Sequence, residues 1–507
     1  MIFPLIKIPV TGMQLTFLDW AVLLAYGAGM LFIGWFYSRR NKTKDDYLLG
    51  GRKMNPTAIG ISLFATLMST LSYLTYPGEM ILHGPLIFTG ILAFPLVYYV
   101  VGWWLIPRFM KMNVTSAYEI LEKKLGLSVR MLAISMFLSL RLLWMATIIY
   151  VTVDVALYSV IQFDRSYVPW IGALLTVVTI FYTSMGGLKA VVVTDVIQSG
   201  IFLGGALLSI VVVCFQLGSF TAIFPAGWPA HWDTLQFGFD PLERTTLGNA
   251  VLVLFVWYVC TSGSDQMAVQ RYLSTKDIHT ARKSFKISLY SNVIAYILLA
   301  LVGLAMLAFF TRNEDLLIAG KSLNEQADTL FPRFIMIGLP PGVSGLVIAG
   351  LLAAAMSSMS SGLNSVSSVV AEDIMKRFRK KTALAPDPLK QVKKLSYLTG
   401  AIVMALSFFV GEVPGNLLDV IMKVVNLFVA PLFVLFFMAL FVPFATGRGT
   451  FWAGIISVAV AIAVAFWGAF GITVLWIMPV SLVTGIVAGI ILSYADRLLF
   501  KSNPGRS

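Results

Sequence analysis

The chain has 507 residues, is 58% hydrophobic and only 12% charged, and carries a formal net charge of +13. A soluble domain typically has about a quarter of its residues charged, so this composition excludes a soluble globular protein and implies an all-α polytopic membrane protein. Nucleic-acid binding, the other reading of a basic chain, is excluded because the basic residues follow the membrane topology.

A spanning helix needs roughly 20 apolar residues. Thirteen stretches qualify: 17–38, 56–82, 85–107, 130–160, 168–184, 188–216, 247–268, 285–310, 342–368, 394–411, 416–443, 450–471 and 475–495. The first is too long for a signal-peptide core and is followed at once by RRNKTK, so it is read as a retained helix. No separate soluble domain fits between the spans; the longest gaps are 217–246 and 311–341. With the N-terminus outside, alternate loops collect 29 of the 37 Lys and Arg residues, including Arg52, Lys53, Arg108, Lys111, Lys189, Arg271, Lys276 and the cluster from Lys376 to Lys394. The opposite face holds Lys7, Arg165, Arg244, Arg312, Lys321 and Arg333. This asymmetry predicts thirteen crossings, an outside N-terminus and a cytoplasmic C-terminus in a cell (plasma or inner) membrane. Cys214 and Cys260 both fall within spans and read as packed thiols.

Two spans look discontinuous. The second has Ser69, Thr70 and Ser72 midway and Pro77-Gly78 near its end; the seventh has Thr261-Ser262-Gly263-Ser264-Asp265-Gln266. Gly and small polar residues weaken the helical ladder. Unwound backbone at membrane depth is tolerated where it lines a cavity. Interrupted spans at corresponding positions of two halves point to a transporter site, and here they lie five spans apart. Arg141 and Asp154 in the fourth span, Asp195 in the sixth, Asp265 in the seventh and Lys423 in the eleventh are intramembrane charges, which mark a pathway or a structural pair.

The ninth span carries Ser357, Ser358, Ser360, Ser361 and Asn364. Residues three or four apart share a helical face, so Ala354, Ser357, Ser358 and Ser361 form one patch. Unwound carbonyls near Ala65 and Met68 could complete an oxygen shell around a cation. The patch lacks the carboxylates that Ca²⁺ recruits, which suits a weakly held monovalent ion. Ser360 and Ser361 lie on a neighbouring face, where a carboxylate such as Asp195 would make a second site. Three scattered His residues argue against a transition metal.

Six segments together resemble the sodium/solute symporter family: YLLGGRKM at 47–54, SLFATLMSTLS at 62–72, TSAYEILEKKLG at 115–126, YTSMGGLKAVVVTDVIQ at 182–198, SDQMAVQRYLST at 264–275 and GLVIAGLLAAAMSSMSSGLNS at 345–365. The resemblance implies two inverted five-helix repeats of the leucine-transporter type, at 46–217 and 246–444. An extra helix (1–45) precedes them, and two helices and a short tail (450–507) follow. It implies a sodium site from Ala65, Met68, Ala354, Ser357 and Ser358. It implies a second from Asp195, Ser357, Ser360 and Ser361, hence two Na⁺ per solute. In members without the second site the same Asp is linked to gating or a proton, an alternative that stays open here. A solute cavity is expected from Ser69, Ser72, Ile87, Ile91, Arg141, Trp144, Trp257, Tyr258, Ser262 and Asp265, with Tyr73 as a gate. Sugar carriers of the family place Asn where this chain has Asp265, and the sialate carrier's Arg aligns with Trp144, one turn after Arg141. The expected activity is sodium-coupled symport of a small polar organic solute bearing a carboxylate, such as a sialic or other organic acid. A neutral hexose is the alternative. No nucleophile–base pair, metal-ligand set or phosphate loop suggests an enzyme. The ten residues after Arg497 do not suggest the signalling module of a solute sensor, and no obligate protein partner is evident.

Overall fold

The structure is a computed structural model that describes residues 15–39, 44–112, 114, 116–161, 163–318, 320–378, 388–410 and 417–501. Of the basic residues used for topology, Lys7, Arg40, Lys42, Arg379, Lys380, Lys381 and Arg506 lie outside the described residues. Among the described residues every regular element is helical.

Helix α1 (Phe17–Ser38) begins with a capping box in which Thr16 and Asp19 satisfy each other's backbone donors. The break that follows the first long crossing separates α2 (Pro56–Leu67) from α3 (Thr70–His83), which bend by 66°. A helical stretch α4 (Leu86–Met110) and helix α5 (Leu127–Ile161) complete the first set of crossings. Helix α6 (Val168–Leu217) has 50 residues, about 75 Å at 1.5 Å per residue, far more than a hydrocarbon core of about 30 Å. It breaks at Gly187 (φ 59, ψ −162), where a Cβ would lie 2.7 Å from the Tyr47 carbonyl oxygen, so only glycine fits.

The second broken crossing is α7 (Leu247–Ser264) plus α8 (Gln266–Leu273). Then come α9 (Ile278–Arg312), a short helix α10 (Ala327–Ile337), α11 (Val343–Val369), α12 (Pro388–Val410), α13 (Leu417–Phe441), α14 (Gly447–Trp467) and α15 (Ile477–Lys501). Among the described residues ten stretches are long and apolar enough to cross a membrane, or eleven with the bent α2–α3 pair. The difference from the predicted thirteen lies in α6, one stretch with an internal break, and in α13, whose apolar described part is only Val425–Phe441. Helix α10 fills part of the predicted 311–341 gap, where its Pro332 and short length left no span signal.

Helix α11 is the centre of the bundle: 24 of its 27 residues are buried, so its small side chains touch neighbours on every side. Its start is held by Asp19 of α1. The carboxylate accepts from Gly342 N (2.8 Å), Gly345 N (2.7 Å) and Ser344 Oγ (2.6 Å), a negative group on the positive end of a helix. A Cβ on Gly345 would sit 2.6 Å from Asp19 Cα, so this close approach requires glycine. Cys214 and Cys260 are free thiols, as expected. Replacing Asp19 by Ala strands these donors and should cost about 2 kcal/mol, typical of a lost hydrogen bond to a charged group; the fall in the thermal midpoint of the purified protein measures it.

Candidate functional site

The α2–α3 break exists because Met68 (φ −91, ψ 114) and Ser69 (φ −119, ψ 179) are extended. Ser69 then caps α3 by accepting Leu71 N at 3.2 Å. A helix that stops leaves its last carbonyls without partners. Two α11 hydroxyls meet them. Ser357 Oγ donates to Ala65 O (3.1 Å) and to Ala354 O (3.1 Å). Ser358 Oγ lies against Thr66 O (3.2 Å) and Met68 O (3.4 Å). All five residues expected at the first sodium site are thus brought together, with Thr66 as an oxygen the sequence reading missed. Both hydroxyls are buried.

One turn further along α11 the arrangement differs from expectation. Asp195 and Ser361 meet, but a guanidinium lies between them. Arg271 Nη2 reaches Asp195 Oδ2 at 3.1 Å and Ser361 Oγ at 2.6 Å; its Nε reaches Ser62 Oγ at 2.9 Å, and Ser62 donates to Asp195 at 2.6 Å. Arg271 is therefore not a loop residue, as its sequence position suggested. Helix α8 is buried along its whole length, and the Arg271 side chain is 1% exposed. The eight residues of α8 are too polar to register as membrane core, which is why sequence reading placed Arg271 in solvent. Ser360 Oγ donates to Ser357 O at 3.0 Å. Ser62 and Thr66, four apart on α2, belong to this network as well, Thr66 Oγ1 lying 3.0 Å from Ser361 Oγ. Their spacing was the signal available in the sequence.

A cavity of about 110 Å³ opens from the α2–α3 break toward the basic-poor face. Ser72, Ile87, Trp144, Trp257 and Tyr258 line it as expected, with Met68 at its base. The structure adds Thr75, Tyr76, Tyr296 and Asn426. The Tyr76 and Tyr296 hydroxyls are 2.7 Å apart, and Tyr258 donates to Asn292 at 2.7 Å.

Other expected residues sit elsewhere. Ser69 is spent on its cap, Ile91 packs against the core, and Ser262 is buried in α7. Tyr73 lies on the other side of α3, packed on Phe202 (4.7 Å) and Phe331 (5.2 Å), and does not line the cavity. Arg141 and Asp265 form a buried ion pair beside the cavity floor. Asp265 also caps α8 at Met267 N (2.9 Å), and Arg141 lies 5.7 Å from the Trp144 ring. Asp154 is only half-buried, beside Arg165 in a separate cleft, so it is not a membrane-centre charge. Among the described residues no His/Cys/Asp/Glu group could hold a metal ion.

The chain is similar to known proteins. A sequence profile of the sodium:solute symporter family matches residues 47–457. The chain belongs to this family. It is 31% identical to the sodium/sialic acid symporter SiaT of Proteus mirabilis, over 89% of this chain and 90% of that protein. It is 30% identical to the human sodium-coupled monocarboxylate transporter 1, over 90% of this chain and 74% of that one. The solved substrate-bound, outward-open structure of a Na⁺-coupled sialic acid symporter superposes with a TM-score of 0.83 at 27% identity, covering 95% of this chain and 98% of that one. Mhp1, a nucleobase-cation-symport-1 family transporter, shares the fold alone, with a TM-score of 0.53 and 14% identity over 92% of this chain and 97% of that one. The fold is thus that of the leucine-transporter type, and the chain is a multi-pass, sodium-coupled solute symporter.

One turn beyond the cavity-lining Thr75 and Tyr76, Glu79 of α3 is gripped by Arg244 at 2.7 Å to each oxygen, and α10 packs alongside α3. Burial, and then the negative charge of Glu79, push the Asp328 carboxyl of α10 up to about 7. A folded-state value above the unfolded one means the folded protein holds this proton more tightly, so stability falls as pH rises from about 4 through 7. The thermal midpoint should drop between pH 5 and pH 8, and Asp328→Asn should make that drop smaller.

Proposed function

We propose that this transporter carries a small organic acid into the cell together with Na⁺, the solute occupying the cavity and one Na⁺ sitting among Ala65, Met68, Ala354, Ser357 and Ser358. The observation that carries this reading is the meeting of two α11 hydroxyls with the orphan carbonyls of the α2 break. It supplies oxygen ligands without a carboxylate at the negative end of a half-helix, where a monovalent cation is favoured. The basic-rich face is the cytoplasmic one in this reading, so the cavity faces outward.

Arg141 is the group proposed to take the solute carboxylate. Its guanidinium presents a planar fork that fits a carboxylate, and Asp265 serves as its partner while the cavity is empty. A carboxylate entering past Trp144 exchanges one anionic partner for another. The relatives that act on sialic acid and monocarboxylates support an acid over a neutral hexose.

Sodium bridging α2–α3 to α11 orders the break that forms the cavity base, so ion and solute tighten each other reciprocally. Each Na⁺ crossing 100 mV contributes about 2.3 kcal/mol. One Na⁺ with one monoanion moves no net charge, so a membrane potential drives accumulation only when a second ion is carried. The Asp195 pocket is the place for it.

Three measurements test this reading. Proteoliposome uptake of sialic acid, a short monocarboxylate and a hexose, with and without an inward Na⁺ gradient, should show gradient-driven accumulation of an acid; equal uptake in both conditions defeats symport. Ser358→Ala should raise half-maximal Na⁺ about tenfold in folded protein, the cost of about 1.4 kcal/mol of lost ligation. Arg141→Gln paired with Asp265→Asn avoids an unpaired buried charge and should raise the KM for the acid about tenfold or more.

A further inference from the structure

The cluster around Asp195 holds more than the first sodium site uses. Asp195 is fully buried and presents two oxygens. Oδ2 is taken by Arg271 and Ser62. Oδ1 is buried with no partner, and so is Gln198 Oε1, one turn along the same face of α6. A fully buried carboxylate oxygen without a hydrogen bond is rare and calls for an explanation. Ser360, on the facing side of α11, donates its proton to Ser357 O. One oxygen of the carboxylate therefore faces a guanidinium, and the other has no protein donor.

Building on the sodium-coupled reading above, we propose that the Arg271 guanidinium is a tethered cation that shares Asp195 with a transported Na⁺ and lowers that ion's affinity enough for it to be released. The charges explain why the arrangement is useful. A lone buried carboxylate would hold Na⁺ too tightly to let it go, and once emptied it would be left as an uncompensated charge, which is strongly destabilising. With Arg271 beside it the pocket is neutral when empty and carries one net positive charge when filled. The two cations sit on opposite oxygens of one carboxylate, where unit charges in a low-dielectric interior repel strongly. Arg271 is held in place independently of Asp195. Its Nη1 donates to Met267 O at 2.9 Å and its Nε to Ser62 at 2.9 Å, so the guanidinium stays while Na⁺ comes and goes. Helix α8 leads through the short turn at 274–277 into the basic start of α9, at Arg282, Lys283 and Lys286, which is the cytoplasmic side in the sodium-coupled reading.

The test is a Na⁺ titration of purified full-length protein, followed both by thermal midpoint and by solute uptake with K⁺ as the balancing ion. It compares the parent chain with Arg271→Gln, Arg271→Lys and the Arg271→Gln/Asp195→Asn pair. Arg271→Gln should lower half-maximal Na⁺ by about tenfold or more. Arg271→Lys keeps the charge and should stay near the parent value. The double substitution should lose the gain. Arg271→Met, of similar length, replaces the Gln variant if that one does not fold. Half-maximal Na⁺ that is unchanged or higher without the charge overturns the proposal, as does a Lys variant that tightens Na⁺ like the Gln variant. A parent protein indifferent to Na⁺ sinks the sodium-coupled reading and this proposal with it; a sodium-responsive parent with an unresponsive Arg271→Gln sinks this proposal alone.

Discussion

The contact between the α11 hydroxyls and the ended backbone of α2 is the constraint on which the rest of the structure depends. Water is absent from the centre of a bundle, so a helix cannot simply stop there; every carbonyl freed by the break needs a donor or a cation. Ser357 and Ser358 provide donors to Ala65, Thr66 and Met68. These are weak, replaceable bonds from rotatable hydroxyls. In the proposed function the same oxygens turn toward Na⁺, so a break tolerable without an ion becomes more stable with one.

Around this contact the charges occur in matched buried pairs. Arg141 faces Asp265 beside the cavity floor, and Arg271 faces Asp195 beside the α11 serines. Breaking such a pair by removing one partner costs more than the pair contributes, because it leaves a buried charge alone. A transporter benefits from that asymmetry. In the proposed function each pair is a site where a mobile charge is exchanged or accommodated, with a resident partner ready when the mobile charge leaves.

Much of this was legible from residue order. Apolar runs mark most crossings because burying about 20 residues in lipid leaves no latitude in composition. The α2–α3 and α7–α8 breaks were legible as Ser, Thr and Gly clustered in the middle of apolar runs, and both are now seen as extended residues capped by Ser69 and Asp265. The residues expected around a sodium ion lie together in the structure, and helical spacing alone put Ala354, Ser357 and Ser358 on one face. Arg271 was misplaced because an eight-residue polar helix looks the same in sequence whether it lies in a loop or inside a bundle. Tyr73, expected as a gate, packs on Phe202 and Phe331, while Tyr76 lines the cavity; which side of α3 faces the cavity depends on the direction in which α3 leaves the break.

The sequence by itself determined the class, the membrane crossings, the two interruptions and the oxygen-rich face of α11. All of these follow from local composition and helical periodicity. Only the tertiary structure decided which charges neutralise each other, which aromatic residues line the cavity and which oxygen of Asp195 is left open. Those outcomes depend on side chains far apart in the chain, such as Arg271 and Asp195 or Tyr76 and Tyr296, reaching one point in space. No local pattern encodes that distance.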